Sequence, residues 1–224
     1  MSVPEFFEAR HPLVQALSSQ SDRELVYGFQ QHRDQGKYFT AIFCRYAGLS
    51  YVLIRNMARA ALQADYLFAK VWRNIFFELT YLDPGVPDTA SGADNFSLQT
   101  WIFNKTALCI NQEEAPAIES IQYTLDVAPP PLWCYLQLSL DRLPALHRLI
   151  LVLSQTFHWS ESRIVGFLDA EGESIPRDSI PQMKTEAYQQ LLETLPDDIR
   201  CIYFNETPAD DTLIEASLPF IGDG

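Results

Sequence analysis

Apolar and polar positions follow a helical period along most of the chain. Phe39, Ile42, Phe43, Tyr46, Leu49, Leu53, Met57 and Ala60 recur at three- and four-residue intervals and predict one apolar helix face. A polar break around 62–65 follows, and then Leu67, Phe68, Val71, Trp72, Ile75, Phe76 and Leu79 repeat the pattern. This predicts a second helix, packed antiparallel to the first. Pro84, Gly85, Pro87, Ser91 and Gly92 punctuate a loop. A third helix is predicted in "NFSLQTWIFNKTALCIN", with Asn95 as its N-cap and Leu98, Trp101, Ile102, Lys105, Leu108 and Cys109 at helical spacing.

Between 113 and 131 the chain turns acidic and reaches "VAPPP", where consecutive prolines favour extended geometry and exclude helix. A linker and domain boundary are expected there. Beyond it Leu143, Leu146, Leu149, Ile150, Leu153 and Phe157 are again helically spaced, with Pro144 suited to a first helical turn. Ser160 is expected to cap a short helix with Ile164, Phe167 and Leu168 inward, and Ser179 or its neighbour to open a last helix reaching about Leu195. No segment alternates with period two. The expected fold is all-α: two small helical bundles, 1–112 and 132–196, joined by a Pro-rich linker at 113–131, the second helix-turn-helix-like and followed by an irregular acidic tail at 197–224.

Hydrophobic residues make up 47% of the 224, enough for a packed core. No run approaches the roughly 20 apolar residues of a bilayer span, and "MSVPEFFEARHP" has acids where a signal peptide has a basic region, so a cytoplasmic protein without membrane contact is expected. Cys44, Cys109, Cys134 and Cys201 are widely separated and only four His accompany them, which suggests buried thiols with neither disulfide scaffold, metal nor cofactor. The chain lacks a phosphate-cradling Gly loop, GxSxG or HExxH, which argues against an enzyme.

The net charge of −13 argues against bulk electrostatic binding of nucleic acid, but it is unevenly distributed. Residues 22–79 hold eight bases and five acids, a net of +3, whereas 193–224 hold one base and eight acids, a net of −7. Such asymmetry marks a basic contact surface and an acidic tail.

Three stretches in this order resemble the bacterial RNA polymerase sigma factors, most closely the compact two-domain, extracytoplasmic-function type. "QADYLFAKVWRNIFFEL" (63–79) is similar to the family's polymerase-binding helix, usually an "AEDLVQEVF" pattern followed by a basic and aromatic run. "LQTWIFNKTALCIN" (98–111) is similar to the promoter-melting helix. "LDRLPALHRLILVLSQTFHWSESRIVGFL" (140–168) resembles the start of the C-terminal domain, with its "L..LP...R....L" and "S..EIA..L" signature. The resemblance implies a transcription initiation factor that docks on core RNA polymerase and directs it to promoter DNA, with an anti-sigma factor or another protein as a further partner. A different class remains open: a sigma-like adaptor that binds polymerase or another protein without promoter recognition, and beyond it a helical scaffold sharing only bundle periodicity.

On that resemblance Asp65, Lys70 and Arg73 are the candidate polymerase contacts, with Tyr66 and Ala69 departing from the family pattern. Trp101, Phe103, Asn104 and Lys105 supply the stacking and backbone-tracking chemistry of strand opening if Phe103 faces solvent while Trp101 faces inward. Trp101 in the core is the plainer reading. Arg55 and Arg59, one turn apart, form a basic patch or simply a solvated face. Arg177, Gln182 and Lys184 are the candidate base- and phosphate-reading side chains of the last helix. Acids Glu161, Asp169, Glu171, Glu173 and Asp178 outnumber Arg163 and Arg177 around the turn, which runs longer than the family's roughly four residues. A trihelical domain kept for packing or protein contact is the alternative.

Overall fold

Ser21 and Glu24 start the first long helix by a reciprocal capping box: the Ser21 N–H donates to Glu24 Oε2 at 2.7 Å and the Glu24 N–H to Ser21 Oγ at 3.3 Å. The computed structural model describes residues 4–85, 96–112, 116–121 and 123–204, and these form helices with no strand among them. In chain order they are α1 (Pro12–Gln15), α2 (Asp22–Gln31), α3 (Lys37–Met57), α4 (Ala61–Leu79), α5 (Leu98–Gln112), α6 (Pro130–Arg142), α7 (Ala145–Leu151), α8 (Glu161–Ala170), α9 (Ile180–Thr194) and α10 (Asp197–Phe204). The all-α expectation agrees with the described residues. The Asn95 cap and the loop residues Pro87, Ser91 and Gly92 lie outside them, and within them Ser97 Oγ accepts the Thr100 N–H at 3.2 Å at the start of α5.

Helices α3 and α4 pack antiparallel, as their ring contacts show: Phe39 meets Phe76 and Trp72, Phe43 meets Trp72 and Phe68, and Tyr51 meets Phe68. Two sequence expectations shift here. The break falls at Ala58 to Ala60, which are extended at either end, and not at 62–65. Residues 62–65 are helical because their polar groups find tertiary partners: Gln63 Nε2 donates to the Pro116 carbonyl at 3.0 Å, and Asp65 Oδ1 accepts from Tyr51 at 2.8 Å. The buried stripe of α3 runs through Tyr46, Ala47, Ser50, Tyr51 and Ile54, leaving Leu49 and Met57 exposed. Ser50 can face inward because its hydroxyl accepts the Trp72 Nε1–H at 3.0 Å and donates to the Ala47 carbonyl at 3.0 Å.

The proline run opens α6 instead of excluding helix. Pro130 and Pro131 fall in its first turn, where a missing N–H costs no bond and the fixed φ is already helical, and the Trp133 N–H closes onto the Pro129 carbonyl at 3.0 Å. Upstream, Ile121, Tyr123, Leu125 and Ala128 of the expected linker are buried. Tyr135 of α6 meets Phe76 edge to face, and one apolar cluster runs from α2 to α5 through α6 to α9 and α10. The segment after 196 also departs from an irregular tail as far as Phe204: α10 is helical, with Ile199 and Ile202 buried.

A smaller cluster joins α7, α8 and α9 through Ile150, Leu153, Ile164, Leu168 and Ile180. Helix α7 loosens into a wider turn at Val152–Thr156, where the Phe157 N–H reaches back to the Val152 carbonyl at 3.3 Å, and Phe157 is exposed instead of continuing the apolar face. Ser160 is the N-cap of α8 by position, but its hydroxyl contacts Ser162 Oγ and no backbone N–H. Helix α8 ends where Gly172 takes φ +90°, a conformation that favours glycine, and the Glu173 N–H bonds the Leu168 carbonyl at 2.9 Å.

Candidate nucleic-acid interface

Helix α5 lies against α3 and α4 with Leu98, Ile102 and Thr106 buried. Trp101 packs partly buried against the core, whereas Phe103 and Asn104 face outward, Phe103 being 41% exposed. Lys105 sits one turn beyond Trp101 with its ammonium 5.7 Å from the ring centroid, and it pairs with Glu78 of α4. The exposed pair on α5 is therefore an aromatic and an amide, and the neighbouring positive charge is already matched by a carboxylate. An exposed ring beside an amide can stack on a base and bond its edge. The net charge that would hold a phosphate backbone there is reduced.

On α4 the three candidate contacts also have internal partners. Asp65 accepts the Tyr51 hydroxyl, and its carboxyl is raised above its ordinary range, first by burial and against the lowering effect of that bond. The same contact, after burial, pushes the Tyr51 phenol up to about 12. Lys70 lies over the Tyr66 ring at 5.8 Å, and the Arg73 guanidinium over Trp133 of α6 at 5.7 Å. Asp65 ties α4 to α3 and Arg73 ties it to α6, while Lys70 contacts a ring of α4 itself.

Arg55 and Arg59 do not share a helix face. The Ala58 N–H bonds the Ile54 carbonyl at 2.9 Å while Ala58 itself is extended, so α3 ends before Arg59, which lies in the bend leading to α4.

Around α8 and α9 one base meets an acid and two others lie on aromatic rings. Arg177, in a short turn before α9, has its Nε 4.0 Å from Glu161 Oε2. Gln182 Nε2 donates to Glu186 Oε1 at 2.9 Å, one turn along α9. Lys184 is half-buried over the Tyr188 ring at 5.7 Å, two residues from exposed Gln182 and hence on nearly the opposite side of the helix. Arg163 of α8 stacks on Trp159 at 4.0 Å. The segment thus presents a mixed surface whose hydrogen-bonding groups are largely engaged within the chain.

The sequence pattern does not reveal one group of residues that the fold assembles from both chain ends. Glu8, Gly36, Asp198 and Tyr203 meet where α10 lies on α3 and on the turn Phe7–Arg10. The available signal is Gly36, a residue without a capping side chain ahead of a 21-residue helix. Asp198 supplies that cap: its Oδ1 accepts the Gly36 N–H at 2.9 Å and its Oδ2 the Lys37 N–H at 2.8 Å.

Compared with models of known protein families, with curated proteins and with solved structures, the chain matches none. Among the described residues no group of His, Cys, Asp and Glu could hold a metal ion, and no helix is long and apolar enough to cross a membrane.

Proposed function

We propose that this chain is a sigma-like transcription initiation factor of the two-domain type, acting in complex with core RNA polymerase. In this reading the bundle of α3, α4 and α5 docks on polymerase and α5 meets melted promoter bases. The trihelical unit of α7, α8 and α9, a helix-turn-helix with a lengthened turn, adds duplex contacts. The observation that carries the reading is on α5: within the stretch resembling the promoter-melting helix, Phe103 and Asn104 are exposed while Trp101 packs inward. A stacking site needs that division of roles.

The adaptor reading, which binds polymerase or another protein without reading promoters, is favoured by a different observation. The Arg177 to Glu161 and Gln182 to Glu186 contacts engage two of the three groups on the expected DNA-reading face. Arg177 beside an internal carboxylate neutralises phosphate less, Gln182 held by Glu186 is less free to bond a base edge, and DNA affinity at physiological salt falls steeply with each phosphate left unmatched.

The test is co-purification of the full chain with core polymerase, followed by footprinting of the complex on a promoter library. Retention with a protected promoter supports the initiation factor, retention without protection supports the polymerase-binding adaptor, and loss of retention removes the initiation factor and leaves only an adaptor for another protein. If Phe103 stacks on an unpaired base, Phe103→Ala is expected to weaken open-complex formation about five- to hundredfold, the range for one base–aromatic stack, with little change in polymerase retention. Unchanged permanganate reactivity of the melted bases in that variant would end the stacking role.

A further inference from the structure

Helix α10 is seated on the N-terminal bundle by three kinds of contact. Ile199 and Ile202 are buried, Asp198 caps α3, and Tyr203 reaches the turn Phe7–Arg10, where its hydroxyl donates to Glu8 Oε1 at 2.9 Å and its ring meets Phe7 edge to face at 5.6 Å. Glu8 is fully buried. Its second oxygen, Oε2, has no hydrogen-bond partner among the described residues. A buried carboxylate oxygen with no donor is costly, whereas the same oxygen carrying a proton loses most of that cost.

Among the described residues no base compensates the charge. Cys44 of α3 and Tyr203 of α10 face Glu8, Tyr123 lies further off, and Cys134 of α6 lies near Tyr203 and Arg73; burial pushes all four of these acidic groups up, so they stay neutral. Arg10, on the same turn, bonds Glu5 at the surface, and His11 at the start of α1 accepts the Leu13 N–H.

We propose that this contact is a proton-gated clasp: with Glu8 protonated α10 stays seated, and with Glu8 ionised α10 lifts, uncapping α3 and opening the niche beside Gly36. Burial holds the Glu8 carboxyl above its ordinary range, outweighing the backbone and Tyr203 bonds that lower it. The sign follows from linkage. A carboxyl raised in the closed state stabilises closure fully below the ordinary carboxylate range, and that contribution is lost as the pH rises through the raised value. Helix α10 contributes only Ile199 and Ile202 to the shared buried cluster, and the rest of the bundle keeps the remainder of that core when α10 lifts.

Hydrogen–deuterium exchange of the full chain, corrected for the intrinsic rate, tests this along a pH series that starts in the ordinary carboxylate range and rises to mildly alkaline pH. Peptides covering α10 and the first turn of α3 should lose protection several-fold over that range, while peptides around Trp72 hold theirs. Glu8→Gln, which keeps the acceptor for Tyr203 and cannot ionise, should keep α10 protected throughout. Constant protection of α10 in the wild type overturns the clasp, and that series needs no variant. Equal loss in Glu8→Gln, or loss shared by the Trp72 peptides, overturns it as well.

Discussion

A Trp72→Ala chain is expected to lose about 3–5 kcal/mol of folding stability, the range for large aromatic truncations in a core. Trp72 is fully buried, and its ring contacts Phe39, Phe43 and Phe68 at centroid distances of 6.0, 4.9 and 6.3 Å. Because α3 and α4 meet through these rings, the cavity would open at the centre of their interface, where neighbours cannot collapse without moving a helix. The Trp72 Nε1 bond to Ser50 adds a second component. Trp72→Phe keeps most of the packing and removes the donor, so a clearly smaller loss is expected. Ser50 still has the Ala47 carbonyl to bond. Urea unfolding followed by circular dichroism checks both, and a midpoint unchanged in Trp72→Ala would contradict this packing.

Trp72 belongs to the part of the fold that is legible in the sequence. Helix periodicity locates α3, α4, α5, α7 and α8, because each buries a stripe whose spacing survives in one dimension, and a start signal near Ser179 locates α9. Polar residues that bond across the fold are harder to place. Gln63 and Asp65 read as a break because their partners, Pro116 and Tyr51, lie in other elements. The prolines at 129–131 read as extended chain, although two of them occupy the one helical turn that tolerates proline. The apolar pattern does not mark α2, although Ser21 and Glu24 at its start carry the local S-x-x-E capping-box signal.

The candidate interface divides along the same line. That Trp101 and Phe103 face different sides of α5 follows from period alone, since two residues along a helix turn a side chain through about 200°, whereas which of them packs on the core depends on how α5 seats on α3 and α4. The pairing of Lys105 with Glu78 and of Arg177 with Glu161 depends on how separate helices come together, and counting charge along the chain reveals only that acids are in excess. The assembly of Glu8, Gly36, Asp198 and Tyr203 spans nearly the whole chain and has no local pattern beyond an uncapped helix start.

At that start a glycine is required by space. Gly36 has φ −73°, which any residue adopts, so alanine would meet no backbone strain there. A Cβ at Gly36 would lie 2.2 Å from Ile199 Cγ1, 2.3 Å from its Cδ1 and 3.0 Å from Tyr135 Cε2. Ile199 and Tyr135 are themselves buried, so relief requires α10 to move, and Asp198 would move with it off the Gly36 and Lys37 N–H groups. Gly36→Ala is therefore expected to cost about 1–3 kcal/mol, as overpacking does. Ile199→Ala alone is expected to cost about 2–5 kcal/mol by leaving a cavity at the same place. Combined, the added methyl occupies part of the space the isoleucine vacates, so the double variant should be more stable than the sum of the two losses implies, by about 0.5–3 kcal/mol. Thermal or urea unfolding of the four proteins measures that coupling. Strict additivity would show that Gly36 and Ile199 do not share a contact, and would remove the close seat of α10 on α3 from the structure.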